Sequence, residues 1–310
     1  MRDSSAANLL FLHALTGLHP GGGTALGVVD LPVQRERHTQ WPMIPGSGLK
    51  GVLRDACRRR LGGEDEELFA AFGPPPPSEA GASQTAKASD YAGALAFTDA
   101  RLVAFPVRSL RGVFAWVTCP AVLDRLGRDA RLLARGGTAP PAPPPVEQGG
   151  AACPQRSDNL IEGNQLLLEE FEFHRTGDDG GVAEWLAKTA VTDKATAERL
   201  TRNLVVLQDD DFTHFARHAT EVVARIGLDY ETKTARGQAL FYEEFLPPET
   251  LFYAVALATG SRNEKVERDA AGMLDLLRNH TPLILQIGAD QTIGKGLCAI
   301  RVMKPEDGDA

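Results

Sequence analysis

Short apolar runs and amphipathic stretches alternate along the chain. Residues 8–16 (NLLFLHALT) predict an apolar strand, followed by a glycine-rich loop that ends at Asp30. Residues 46–60 predict a helix entered from a Gly/Ser turn, with Leu49, Val52, Leu53 and Cys57 on its apolar face. Lys50, Arg54 and Arg58 recur every four residues and share another face. Strands are expected at 93–105 and 112–118, a helix near 120–135, and short mixed elements over 158–245. Within these, DDDFTHFARHA offers an acidic first turn for a helix. A strand at 250–258, a helix at 261–279 and strands at 283–288 and 297–303 complete the pattern. Repeated strand–helix–strand order gives the fold class α+β and suits a ferredoxin-like sandwich with long insertions.

Two tracts interrupt this order, at 73–90 and 136–150, rich in proline, glycine and small residues. They read as exposed, flexible loops, stiffer where prolines cluster. Neither separates two complete cores, so residues 1–310 read as one domain with insertions. With 43% hydrophobic residues the chain can bury a substantial core. The four cysteines form no CxxC pair, which leaves a zinc site or a disulfide scaffold without support. No apolar run approaches the roughly 20 residues of a membrane helix. The early Asp3 and the histidine within the first apolar stretch make a poor signal peptide. The expectation is a soluble, cytoplasmic protein with no membrane partner.

The formal net charge is -8, yet the basic residues are segregated. Residues 34–60 hold seven basic against two acidic residues, and residues 101–135 repeat that balance. Such clusters can form an anion-binding groove on an acidic body. The 25 Arg to 8 Lys favour a planar fork suited to phosphate, although a high-GC genome gives the same bias. Arg35, Arg37 and His38, with the Lys50/Arg54 face, make two basic surfaces fit to track a phosphate backbone. Two unrelated solvated faces are the plainer alternative.

The segment GADQTIGKG (288–296) is no P-loop: the spacing is one residue too long, Gly296 stands where Ser or Thr belongs, and a strand follows. It is either a hairpin turn or a backbone-lined contact in which Gly288, Gly294, Lys295 and Gly296 approach phosphates. The loop HPGGGTALGVVD (19–30) fails as a dinucleotide fingerprint because no helix follows. Asp30, near so many cations, is either a salt-bridge partner or a carboxylate that holds Mg²⁺ or orients a 2′-hydroxyl. His19 is either a loop cap and phosphate hydrogen-bonder or an acid–base group. HExxH and GxSxG are absent, so common protease and esterase readings have no motif.

Together, the run from His19 through Asp30, Gln34–Thr39 and Ile44–Gly51 resembles the RAMP superfamily of CRISPR proteins, in particular the repeated backbone subunit of the type III-B (Cmr) effector. The stretch from Asn203 to Thr250 and the glycine-rich loop 288–296 are similar to the same family. The resemblance implies a ferredoxin-like, RRM-type palm with an inserted β-hairpin thumb, expected within 190–237, and fingers insertions. It further implies copies of the chain stacked in a helical filament along a guide RNA, beside other Cmr subunits, cutting the paired target RNA at regular intervals. Lys50, with Arg54 in support, would hold the guide. Asp30 would organise a divalent cation such as Mg²⁺ or the nucleophile, with His19 assisting proton transfer or stabilising the phosphorane. Glu243 would be a second carboxylate, and Arg37 and His38 would neutralise the scissile phosphate or bind guide. The family often carries Tyr where this chain has Phe245, so any hydroxyl role there is missing. A catalytically silent RNA-binding scaffold of the same complex is the alternative.

Overall fold

Strand β1 (Ala6–Ala14) is buried on both faces, which is why its sequence is apolar throughout rather than alternating. Leu10, Leu12 and Ala14 enter one hydrophobic cluster, and Leu9 and Phe11 enter a second on the opposite side of the sheet. The computed structural model describes residues 5–63, 65–75, 91–133, 139–162 and 164–303.

After β1 come β2 (Met43–Ile44), α1 (Gly46–Leu61), α2 (Glu66–Phe72), β3 (Leu95–Phe97), β4 (Ala100–Arg108) and β5 (Phe114–Thr118). Helix α3 (Pro120–Leu133) leads to β6 (Gly150–Ala152), β7 (Gln165–Leu168), β8 (Phe171–Gly177), α4 (Val182–Thr189) and α5 (Lys194–Asn203). Then follow β9 (Leu204–Leu207), α6 (Asp209–His218), β10 (Glu221–Leu228), β11 (Ala235–Phe245) and β12 (Leu251–Ala258). Helix α7 (Ala270–His280), β13 (Ile284–Gln286) and β14 (Leu297–Val302) end the described chain.

Twelve strands form one sheet in the order β13-β14-β1-β12-β4-β5-β9-β6-β8-β7, with β2 beside β4 and β3 beside β12. Its centre is the antiparallel pair β1–β12, in register Leu9↔Val255 and Phe11↔Tyr253. β12 divides its side chains as β1 does: Phe252, Ala254 and Ala256 on one side, Leu251, Tyr253 and Val255 on the other. Helices α1 and α7 supply Leu49, Leu53, Met273 and Leu277 to the first cluster, and α3 and α4 supply Leu126 and Leu186 to the second. The expected α+β class is the architecture observed. Strands β10 and β11 form a separate two-stranded sheet.

Two expectations shift. The last helix starts at Ala270 rather than 261. Asn263 Oδ1 accepts from Lys265 N at 3.0 Å while its Nδ2 donates to Glu66 Oε2 at 2.7 Å, so side-chain bonds hold the chain out of helix until Asp269 caps α7. The basic clusters are also largely internally paired: Arg125 with Glu36, Arg101 with Asp129, Arg108 with Glu169, and Arg58 and Arg59 with Asp55. Residues 76–90 of the first proline tract and 136–138 of the second lie outside the described residues. Residues 139–149 are irregular, with Pro140 buried beside Gly127 of α3. Among the described residues no helix is long and apolar enough to cross a membrane, and all four cysteines are free and buried thiols.

Candidate active site and RNA-facing residues

The site begins with two adjacent glutamates in an apolar strand. A strand turns successive side chains to opposite faces, so Glu243 and Glu244 of β11 diverge. Both are buried, at 4% and 6% exposure, and each needs compensation. Glu244 finds it in the loop before β2 and in the turn before β10: Oε2 accepts from Val33 N at 2.9 Å, and Oε1 from Arg35 Nη2 at 2.5 Å and Thr220 Oγ1 at 2.9 Å. Arg35 also donates from Nη1 to the carbonyls of Gln40 and Ala216. Its guanidinium is therefore committed inside the fold.

Glu243 turns to the other face. Its Oε1 lies 3.7 Å from His19 Nε2, and its Oε2 accepts from Arg225 Nη1 at 3.1 Å. Burial pushes the Glu243 carboxyl up from its ordinary value, the charge of Asp290 adds to that, and His19 and Arg225 oppose it. His19 is itself only 4% exposed. Its Nδ1 is 2.6 Å from the carbonyl oxygen of Glu244. A carbonyl only accepts, so Nδ1 carries a proton and Nε2 is the ring nitrogen turned toward Glu243. The ring of Phe245 lies 5.7 Å from that of His19, and the Lys295 ammonium sits 4.7 Å over the Phe245 face.

Asp30 reaches the same strand from the N-terminal loop. Its Oδ2 accepts from Tyr242 N at 2.7 Å, and the amides of Asp30 and Leu31 both donate to Tyr242 O. Leu31 and Glu243 are bridge partners, which places Asp30 one residue from the His19–Glu243 pair along β11. Asp30 is half-buried and is the accessible member of the three. Its Oδ1 has no hydrogen bond among the described residues. The structure thus pairs His19 with Glu243 and sets Asp30 beside the neighbouring Tyr242, across segments more than two hundred residues apart.

The loop 288–296 closes over His19. It connects the antiparallel strands β13 and β14, as a hairpin turn does. Gly288 (φ 80°) runs so near His19 that a Cβ would stand 2.3 Å from the His19 carbonyl oxygen. Ala289 N donates to that same oxygen at 3.0 Å, and Gly296 N donates to Gly17 O at 2.9 Å. The amides of Gly294 and Lys295 donate to Gln291 and Asp290 carbonyls. These backbone donors are therefore occupied within the chain, and the loop joins the His19 site rather than forming a phosphate site of its own.

Lys50 and Arg54 share a face of α1, as the spacing predicts, and both point at backbone. Lys50 Nζ donates to Leu95 O at 3.1 Å and Arg54 Nη1 to Gly73 O at 2.5 Å. Burial, with Arg54 nearby, pulls the Lys50 pKa down. Arg37 and His38 are exposed, and no ion pair among the described residues involves either. Sequence reading missed Glu244, Arg225 and Asp290. The paired acids in the otherwise apolar run LFYEEF carried a signal for Glu244; the other two had none.

Among the described residues no three His, Cys, Asp or Glu side chains gather as a metal cage. A divalent ion would have one carboxylate here, Asp30. That donor set fits Mg²⁺, which keeps several waters and commonly binds through one or two carboxylates plus substrate phosphates.

The family model described as "RAMP superfamily" matches residues 11–299. The chain is 37% identical over 296 residues to the CRISPR system Cmr endoribonuclease Cmr4 of Pyrococcus furiosus, covering 95% of each chain. It is 26% identical over 312 residues to the CRISPR system CMR subunit Cmr4 of Saccharolobus solfataricus, covering 94% of each. It superposes on the crystal structure of oligomeric Cmr4 from Pyrococcus furiosus with a TM-score of 0.70 at 30% identity, over 96% of this chain and 98% of that one. A chain in the cryo-EM structure of the type III-B Cmr-beta bound to cognate target RNA shares the fold, with a TM-score of 0.70 at 19% identity over 96% of each chain.

Proposed function

The chain belongs to the RAMP superfamily, and from that premise we propose that it is a guide-RNA-binding backbone subunit of a type III-B CRISPR effector whose own site cuts guide-paired target RNA. The observation that carries the activity is the buried His19–Glu243 pair at the end of β11 where Tyr242 N–H also holds Asp30, in a chain 37% identical to a named endoribonuclease. Copies of the chain stack in a filament with other Cmr subunits in the cytoplasm. The resemblance to oligomeric Cmr4 supports that arrangement. The palm is the large sheet with its helices, in the ferredoxin-like, RRM-type sense. The separate hairpin β10–β11, which begins inside 190–237 and ends at Phe245, serves as the thumb.

In this reading the thumb splays a target nucleotide, and its 2′-oxygen attacks the adjacent phosphorus in line. The P–O5′ bond breaks, leaving a 2′,3′-cyclic phosphate and a 5′-hydroxyl. The 2′-hydroxyl gives up its proton and the departing 5′-oxygen gains one. His19 and Glu243 form the buried pair that holds or passes a proton at Nε2. Asp30, the accessible carboxylate, orients the 2′-hydroxyl and would hold a divalent cation, which when bound neutralises the scissile phosphate. Arg37 and His38 contact RNA phosphates directly because they are exposed. Lys50, Arg54, Arg35 and the 288–296 loop support the RNA-facing surface, and Lys50 and Arg54 would exchange a backbone carbonyl for phosphate when guide binds.

The Tyr242 N–H on Asp30 is also how a purely structural loop cap would look, which is the observation favouring the silent-scaffold reading. The deciding experiment uses the assembled complex with guide and labelled complementary target. Asp30→Ala abolishes regular cuts with the guide still bound if this chain is the ribonuclease, and leaves cutting unchanged if it is a scaffold. The same assay in chelator tests the cation.

A further inference from the structure

We propose that Arg225 is the positioning residue of this site, a clamp on the hairpin that aims Glu243 at His19 by bridging Glu243 to Asp290 of the 288–296 loop. The inference rests on the ribonuclease reading above.

Arg225 lies on β10 opposite Phe241, and Glu243 lies on β11 opposite Val223. The two are diagonal neighbours on one face of the hairpin. Arg225 Nη1 is 3.1 Å from Glu243 Oε2 and 3.1 Å from Asp290 Oδ2, and Nη2 is 3.5 Å from Asp290 Oδ1. A single guanidinium thus serves two carboxylates from different segments, and its planar fork fixes their directions more firmly than a rotatable ammonium would. With Oε2 held by Arg225, the free oxygen of Glu243 is the one facing His19.

The contacts close on themselves. The His19 ring meets Glu243, Glu243 meets Arg225, Arg225 meets Asp290, and Ala289, next to Asp290, donates to the His19 carbonyl. Strands β10 and β11 do not belong to the large sheet, and isolated bridges at Glu243 and Leu246 tie β11 to the N-terminal segment. Arg225 carries a side-chain ion pair that joins β10 to a segment outside the hairpin. Without it, two carboxylates face one another with no cation between them, and Glu243 swings from His19.

The test compares wild type, Arg225→Gln, Arg225→Lys, Asp290→Asn and the Arg225→Gln/Asp290→Asn double variant in the assembled, guide-loaded complex. Arg225→Gln is expected to slow cutting at saturating target by at least about tenfold, within the roughly 100-fold that a 1 Å misplacement can cost. Guide retention and the half-saturating target concentration stay as in wild type. Arg225→Lys recovers part of the rate, and the double variant is no slower than Arg225→Gln alone. An unchanged rate in Arg225→Gln overturns the proposal, as does a rate loss matched by guide loss, which marks an ordinary structural residue. Amide exchange supplies a readout free of activity: Arg225→Gln should speed exchange both at 242–246 and at 288–296, and unchanged exchange in the loop overturns the clamp. A wild-type complex that never cuts sinks the ribonuclease reading, and exchange still decides the clamp.

Discussion

Glu243 and Glu244 are sequence neighbours that serve opposite faces of one strand, Glu243 turned to His19 at 3.7 Å and Glu244 to Arg35 at 2.5 Å. One face of β11 carries the candidate chemistry and the other carries the anchor that keeps the strand in place. The two acids should therefore fail differently when replaced.

Glu244→Ala removes one partner of a buried ion pair, leaving Arg35 without its carboxylate and Val33 N without its acceptor. Loss of one partner in such pairs costs about 3–5 kcal/mol. Denaturant unfolding of the isolated chain should show that loss, with a smaller one for Glu244→Gln, which keeps an acceptor oxygen.

Glu243→Gln and His19→Ala are expected to lower target cutting in the loaded complex by about 10²–10⁴-fold, the range typical of a lost acid–base group. Guide retention should hold. Equal cutting by Glu243→Gln and wild type would remove the carboxylate from the chemistry.

Gly296 and Gly294 both have positive φ, 75° and 77°, but differ in surroundings. A Cβ at Gly296 would stand 2.1 Å from the Ile287 carbonyl oxygen, while one at Gly294 meets nothing within 4 Å. Gly294→Ala should cost about 1–2 kcal/mol, the left-handed penalty alone. Gly296→Ala should cost clearly more and lift the loop from Gly17, which unfolding curves of the two variants would separate.

Acid should weaken the tie between α3 and the segment before β2. Burial raises the Glu36 pKa, but the Thr39 hydroxyl and Arg125 outweigh it, so the folded value lies below the ordinary 4.5. A depressed carboxylate stabilises the fold above its unfolded pKa, and that contribution fades as pH falls through the folded value. The stability gap between wild type and Glu36→Gln should thus be full at pH 7 and close below pH 4.5.

The thiols should be inert in the folded chain. Burial pushes Cys57 and Cys298 to about 12 and Cys153 to about 11, and Cys119 upward as well. Thiolate is the reactive form. A thiol reagent at neutral pH should label none of the four quickly in native protein and all of them in denaturant.

Sequence alone determined the elements whose burial is complete or strictly periodic. β1 and β12 read as unbroken apolar runs because both their faces are covered, and α1 showed its core face through Leu49, Leu53 and Cys57. The spacing of 288–296 excluded a P-loop and left a hairpin turn or a phosphate contact open, and family resemblance pointed to His19, Asp30 and Glu243. Tertiary structure alone decided which charges meet. Arg35 and Glu244 are 209 residues apart, and Arg225 and Asp290 are 65 apart. No local period links such pairs, because an ion pair forms where packing brings two segments together. For the same reason Lys50 and Arg54 showed a basic helix face in sequence, while their engagement with the Leu95 and Gly73 carbonyls depended on chain folded back from elsewhere. Periodicity reports burial, which each residue experiences locally; partner identity is a property of the assembled fold.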